Sequence, residues 1–311
     1  MSHPSRQDWL ILAALGLIWG ASFMGMAIAL KGFAPLTLAA GRIALGAVVL
    51  TVFAKASGRK MPSVFAPKGM AIWAAAIGMG IFSNALPFFL LGWAQYHVAS
   101  GFAGVSMAAG PLITLVLAHF FIVGENITLR RFIGIIIGFA GVAVLIGPSA
   151  LQSRGGDMEN IARIVCISAA ACYSIGSIVA RLCPDVDRRA FSAAVLVSGA
   201  MLILPVALWQ EGLPTQVPTA SAIAAIILLG LIPTALAQIL VVTLVRDAGP
   251  TFTSLVNYQV PVWSVILGSV FLRETLPPSL FWAMGLILMG VAISQAGALK
   301  RLFSSQKKSS A

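Results

Sequence analysis

The chain has 311 residues, of which 59% are hydrophobic and only 9% charged, with a formal net charge of +11. Soluble domains carry about 25% charged residues, so lipid must be the solvent for most of this exterior. The 20 Lys and Arg sit in short clusters between apolar runs and form no stripe or basic arm. That excludes a nucleic-acid partner and fits the positive-inside pattern of membrane proteins. Cys166, Cys172 and Cys183 show neither paired spacing nor CxxC, so no disulfide framework, metal site or cofactor is expected.

A helix needs about 20 apolar residues to cross the hydrocarbon core, and its backbone must bond to itself there. Runs near 9–30, 34–54, 69–94, 98–122 and 130–147 meet this requirement, as do 160–181, 190–210, 219–245, 250–272 and 278–297. The first run has 22 residues without a charge, longer than a signal-peptide core, and is expected to be retained as a helix. The charge-free stretch from Gly69 to Gly124 is too long for one span and is broken at Gln95-Tyr96-His97. With the N-terminus inside, the loops and tail divide Lys and Arg 15 inside to four outside. That split places both termini in the cytoplasm. Loop carboxylates such as Asp157, and Asp8 before the first helix, carry no intramembrane role.

The two halves repeat. Gly101-Phe102-Ala103-Gly104-Val105 runs through Pro111 to Glu125, and Thr251-Phe252-Thr253-Ser254-Leu255 runs through Pro261 to Glu274. Pro111 and Pro261 lie 150 residues apart, as do Gly80 and Gly230. Each Glu is followed sixteen residues later by a glycine, Gly141 or Gly290. Five helices is an odd number, so the second half enters the membrane from the opposite side. Inverted repeats of this kind bracket the substrate site of many secondary transporters. The reading is therefore an all-α membrane protein: a first repeat over 9–147, an inverted second over 160–297, and a basic cytoplasmic tail over 298–311.

Five plus five helices, Leu17-Ile18-Trp19-Gly20 in the first span and the two Glu-to-Gly endings resemble the EamA-type drug/metabolite transporter superfamily. The likeness covers residues 9–297, and its general character is similar to the YddG-type amino-acid exporters. It implies ten helices around a central cavity and alternating access between inverted halves. The second repeat departs from the pattern, with Tyr173-Ser174 in place of Trp19-Gly20 and Ala283 in place of Gly134.

Intramembrane ionisable residues are costly and usually functional. Arg42 is the one charge inside a span, roughly 10 Å from the start of the second helix at 1.5 Å per residue. Two readings stand: a snorkelling or carbonyl-capping arginine near the outer interface, or a cavity residue that attracts a substrate carboxylate. Glu125 and Glu274 are expected to complement the N-termini of the helices that follow them. No span holds a central Asp or Glu, which favours a carrier uncoupled from ions. His97, His119 and Tyr96 are the candidates for coupling or gating.

Substrate contacts are sought among neutral groups: Asn84, Gln238, Asn257, Tyr258 and Gln259, with Trp19, Tyr173 and Trp263 as aromatic walls. The amides could equally serve as interhelical glue. Pro87, Pro111, Pro233 and Pro261 mark points where the helix backbone is weakened. Trp93 belongs either to the wall or to the interface belt, while Trp9, Trp73, Trp209 and Trp282 lie near span ends, where belt residues collect. Gly16, Gly20, Gly25, Gly134, Gly138 and Gly141 permit close helix packing. No HExxH, Gly-x-Ser-x-Gly or paired intramembrane Asp occurs, so the chain is not read as an enzyme. It is read as a multi-pass inner-membrane exporter of amino acids, aromatic and other neutral ones included, or of related small metabolites. It would act as a monomer or weak homodimer in the lipid bilayer. A proton-coupled exporter and a non-saturating channel are the alternatives.

Overall fold

A computed structural model describes residues 4–147, 158–213 and 216–307. Asp157 and the last four residues of the tail lie outside them. Among the described residues nine helices are long and apolar enough to cross a membrane, and a tenth, Val256–Phe271, is apolar but shorter. In chain order the segments are α1 (Arg6–Ala29), α2 (Pro35–Ala56), α3 (Gly69–Ala94), α4 (Ser100–Phe121) and α5 (Leu129–Ile146). They continue with α6 (Met158–Leu182), α7 (Arg188–Gln210), α8 (Ala220–Leu229, Gly230–Leu236 and Ala237–Asp247), α9 (Pro250–Thr253 and Val256–Phe271) and α10 (Pro278–Lys307). The last helix runs ten residues past 297, so the basic tail begins as its continuation.

Local chemistry sets the ends. The Ser5 hydroxyl accepts from Asp8 N at 3.2 Å while Ser5 N donates to the Asp8 carboxylate at 2.7 Å, a capping box. Asp8 therefore lies in the first turn of α1, where the sequence reading had placed it before the helix. Thr128, Asp187 and Thr219 cap α5, α7 and α8 through their side chains. Proline opens α2, where the missing N–H costs nothing.

Because lipid is as apolar as leucine, helices here associate through fit and polar contacts. The segments α5 and α10 pack against each other, as do α2 and α7, α4 and α9, and α1 and α9. Glycines make the tightest of these contacts possible. A Cβ on Gly134 would stand 2.5 Å from the Gly290 carbonyl, and one on Gly290 would stand 2.5 Å from that of Gly134. Gly20 gives the same access to α9, where a Cβ would meet that of Trp263 at 2.4 Å. Trp209 and Trp282 are 81% and 76% exposed near helix ends, as interface-belt residues should be.

Contacts between loops sort the two ends of the bundle. The end where α1 begins is tied by Arg59–Asp187 at 3.3 Å and by Glu125, which accepts from Arg131 at 3.1 Å and Arg181 at 3.2 Å. The opposite end is tied by carboxylates on main chain. Glu211, after α7, accepts from Leu36 N at 3.0 Å, Thr37 N at 2.7 Å and the Thr37 hydroxyl at 2.8 Å. Glu274, after α9, accepts from Ser100 N at 2.8 Å and Gly101 N at 3.1 Å. Glu274 thus serves the N-terminus of α4, and Glu125 holds arginines; neither caps the helix that follows it. Arg181 and the amides that hold Glu274 lie across the fold and were invisible in the local sequence, whereas Arg131 stands six residues from Glu125.

Gly290→Ala should lower the melting temperature in detergent, since overpacking costs about 1–3 kcal/mol. Gly285→Ala should not, because a Cβ there meets nothing within 4 Å. Equal effects would contradict the packing argument. Burial alone would raise the Glu125 carboxyl, but hydrogen bonds and charge from Arg181 and Arg131 outweigh it and hold it below its ordinary value. Its contribution is then present above the unfolded pKa of about 4.3 and is lost as pH falls through the folded value. Both arginines are partly exposed, so the effect is small. The melting-temperature gap between wild type and Glu125→Gln should close below about pH 4; a gap unchanged in acid would exclude the ion pair as its source.

Candidate functional site

The polar centre of the bundle is built where two helices lose regularity. In α3 a π-helical turn, Ile81–Ala85, precedes Pro87, and in α8 a π-helical turn, Gly230–Leu236, contains Pro233. In each wide turn a polar side chain donates to a carbonyl of its own helix. Asn84 Nδ2 donates to the Met79 carbonyl at 3.3 Å, and the Thr234 hydroxyl to the Leu229 carbonyl at 2.8 Å. Both bonds reach back five residues, and the two side chains stand 150 positions apart.

Arg42 of α2 points into this region and is only 2% exposed. Its Nε and Nη2 donate to Thr234 Oγ1 at 3.3 and 3.2 Å, and its guanidinium lies 3.7 Å above the ring of Phe88. Phe88 meets Tyr173 of α6 edge-on, with centroids 6.5 Å apart. Trp19 of α1 donates from Nε1 to the Pro233 carbonyl at 3.3 Å. Five helices therefore converge on one buried cation. Among the described residues no carboxylate lies within ion-pairing distance of Arg42, whose protein partners are a hydroxyl and a π face. The snorkelling reading does not fit this placement.

Other candidates lie elsewhere. Gln238 donates to the Ser192 hydroxyl at 3.1 Å and so joins α8 to α7. The polar triplet of α9 divides: Gln259 stands against Gly16 of α1, Tyr258 buries an unpaired hydroxyl, and Asn257 is exposed. Trp263 lies against Gly20. Pro111 follows a 3-10 turn, Met107–Ala109, while Pro261 sits inside the second part of α9. His97 and Tyr96 are exposed on the turn between α3 and α4, with the His97 ring 5.1 Å from that of Trp93. Partial burial there, and then the charge of Glu211, push the Tyr96 hydroxyl above its ordinary value. His119 is exposed at the other end and pairs through Nδ1 with the Glu125 carbonyl at 3.1 Å. Two adjoining depressions of 280 and 310 Å³ flank the Glu211 clasp, and neither includes the Arg42 cluster.

Sequence reasoning overlooked Thr234, Phe88 and Ser192. A signal existed for Thr234, because the 150-residue offset places it opposite Asn84. Phe88 and Ser192 carry none, being ordinary residues of apolar helices.

The chain is 27% identical over 289 residues to an uncharacterized inner membrane transporter, YedA, of Escherichia coli, covering 92% of this chain and 90% of that one. It is 23% identical to a protein of Streptantibioticus cattleyicolor named "Probable terminal-alkyne amino-acid exporter", with 95% and 93% covered. It is 24% identical to the S-adenosylmethionine/S-adenosylhomocysteine transporter of Chlamydia trachomatis, with 88% and 84% covered. A solved crystal structure shares the fold at a TM-score of 0.66 and 22% identity, covering 94% of this chain and 98% of that one. The EamA-like transporter family matches residues 8–147 and again 160–295. The chain is a multi-pass membrane transporter for a small molecule, a member of the EamA-like transporter family.

Proposed function

We propose that the protein exports neutral amino acids, aromatic ones included, or related carboxylate-bearing metabolites across the inner membrane by alternating access, uncoupled from ions. The observation that carries this reading is Arg42. A buried cation is costly unless paired and hydrogen-bonded, and here its partners are Thr234 and Phe88 alone among the described residues. A substrate carboxylate would supply the missing charge, while Phe88, Tyr173 and Trp19 offer apolar surface to its side chain.

Alternating access draws support from the repeat. Exchanging helix n with helix n+5 turns the contact of α1 with α9 into that of α6 with α4, and the contact of α3 with α7 into that of α8 with α2. The two π turns and their polar plugs exchange as well. Rocking of one half against the other would break the carboxylate clasps at one end and the ion pairs at the other in turn. The Lys and Arg bias supports cytoplasmic termini, and we take the working unit to be a monomer. No Asp or Glu among the described residues lies centrally in a span, which favours the uncoupled reading.

Proteoliposomes loaded with unlabelled amino acid should take up labelled phenylalanine saturably and by counterflow, without a pH gradient. A requirement for the gradient would replace the uncoupled reading with a proton-coupled one. Uptake without saturation would indicate a channel, and transport of no neutral amino acid would remove this substrate class. Arg42→Gln should raise the KM for phenylalanine about tenfold or more, the scale of a lost charged contact. Unchanged KM would exclude Arg42 as the carboxylate anchor.

A further inference from the structure

We propose that Thr234 is the positioning residue that decides which edge of Arg42 is presented to substrate. The inference rests on the reading of Arg42 as the carboxylate anchor and extends it to a residue that touches no substrate.

The argument begins with Pro233. It has no N–H to give the Leu229 carbonyl four residues back, and the adjoining Thr234 hydroxyl donates to that carbonyl at 2.8 Å. A hydroxyl has one proton and two acceptor sites. With its proton committed to α8, the Thr234 oxygen meets Arg42 only as an acceptor. It receives Nε–H at 3.3 Å and one Nη2–H at 3.2 Å, which are the donors along one edge of the guanidinium. The edge formed by Nη1 and the second Nη2–H is the one Thr234 leaves, and its two parallel donors match a carboxylate.

A second contact brings the hydroxyl within reach. Gly46 lies one turn beyond Arg42 on α2, and a Cβ there would stand 2.7 Å from Cγ2 of Thr234. Glycine at 46 lets α8 approach α2 closely enough for the Thr234 oxygen to meet the guanidinium. Phe88 covers one face of the group at 3.7 Å. A ring on the face and an acceptor on the side leave the Nη edge as the oriented donor pair. The repeat sharpens the point. Asn84, the counterpart of Thr234, closes its own π turn in the same way, but the hydrogen bonds of Arg42 go to Thr234. The two halves therefore do different work with the same device.

The test compares Thr234→Val, which keeps shape and removes the acceptor, with Thr234→Ser, which keeps the hydroxyl. Labelled phenylalanine is the probe and phenylalaninamide the competitor, in proteoliposomes with matched amounts of folded protein. Thr234→Val should raise the KM about tenfold with maximal rate within about twofold, and should reduce the preference for acid over amide. Thr234→Ser should restore both. A Thr234→Val protein with wild-type KM and acid preference overturns the proposal. If Thr234→Val does not fold, the same comparison between Thr234→Ala and Thr234→Ser decides it. Arg42→Gln separates the two readings. If it abolishes acid preference while Thr234→Val does not, only the role of Thr234 falls. If Arg42→Gln leaves that preference intact, the anchor itself falls and Thr234 with it.

Discussion

A guanidinium that is 2% exposed and faces no carboxylate among the described residues is the least comfortable group in this molecule. Solvation lost on burial must be replaced by oriented dipoles, and the replacements come from three helices. Thr234 supplies an oxygen, Phe88 a π face, and Tyr173 backs the ring. The oxygen lies in the locally widened part of α8, and α8 comes close to α2 where Gly46, Gly41 and Gly230 have no side chain. The π turn, the glycines and the aromatic pair are therefore parts of one arrangement whose centre is a cation.

The same economy governs the backbone. Within lipid a carbonyl without a donor has no water to turn to, so an irregular turn must carry its own plug. Asn84 and Thr234 each fill that need from inside the turn that creates it. Pro205 sits within α7 without such a wide turn, so proline alone does not produce one. Apart from the 3-10 turn in α4 and the break in α9, the other helices are regular, and glycines let them close on one another, as between α5 and α10.

Much of this was legible in the sequence, and the boundary follows from physics. Spans are written in hydropathy, which any apolar run of sufficient length announces, and their ends agreed with the helices to within a few residues. The exception is α10, where basic residues continue a helix beyond the apolar core. The depth of Arg42 could be counted from the helix start, but its direction could not, because depth is a property of one helix and direction is a property of its neighbours. The same limit hid the Arg181 partner of Glu125 and the partners of Glu211 and Glu274, which stand 56 to 175 positions away in the chain. In the α9 triplet, hydrophilicity marked three adjacent residues alike, while the helix turned them toward different surroundings.

The two ends of the bundle differ in how easily mutation can undo them. Where α1 begins, each tie joins two charged side chains, so changing either partner is enough to lose it. At the opposite end one partner of each tie is main chain: the amides of Leu36 and Thr37, and those of Ser100 and Gly101. Every residue but proline provides such an amide, whatever its side chain. A substitution at any of those four positions other than to proline keeps the amide, so the side chain on which each clasp turns is a single glutamate, with the Thr37 hydroxyl as the one side-chain donor beside it.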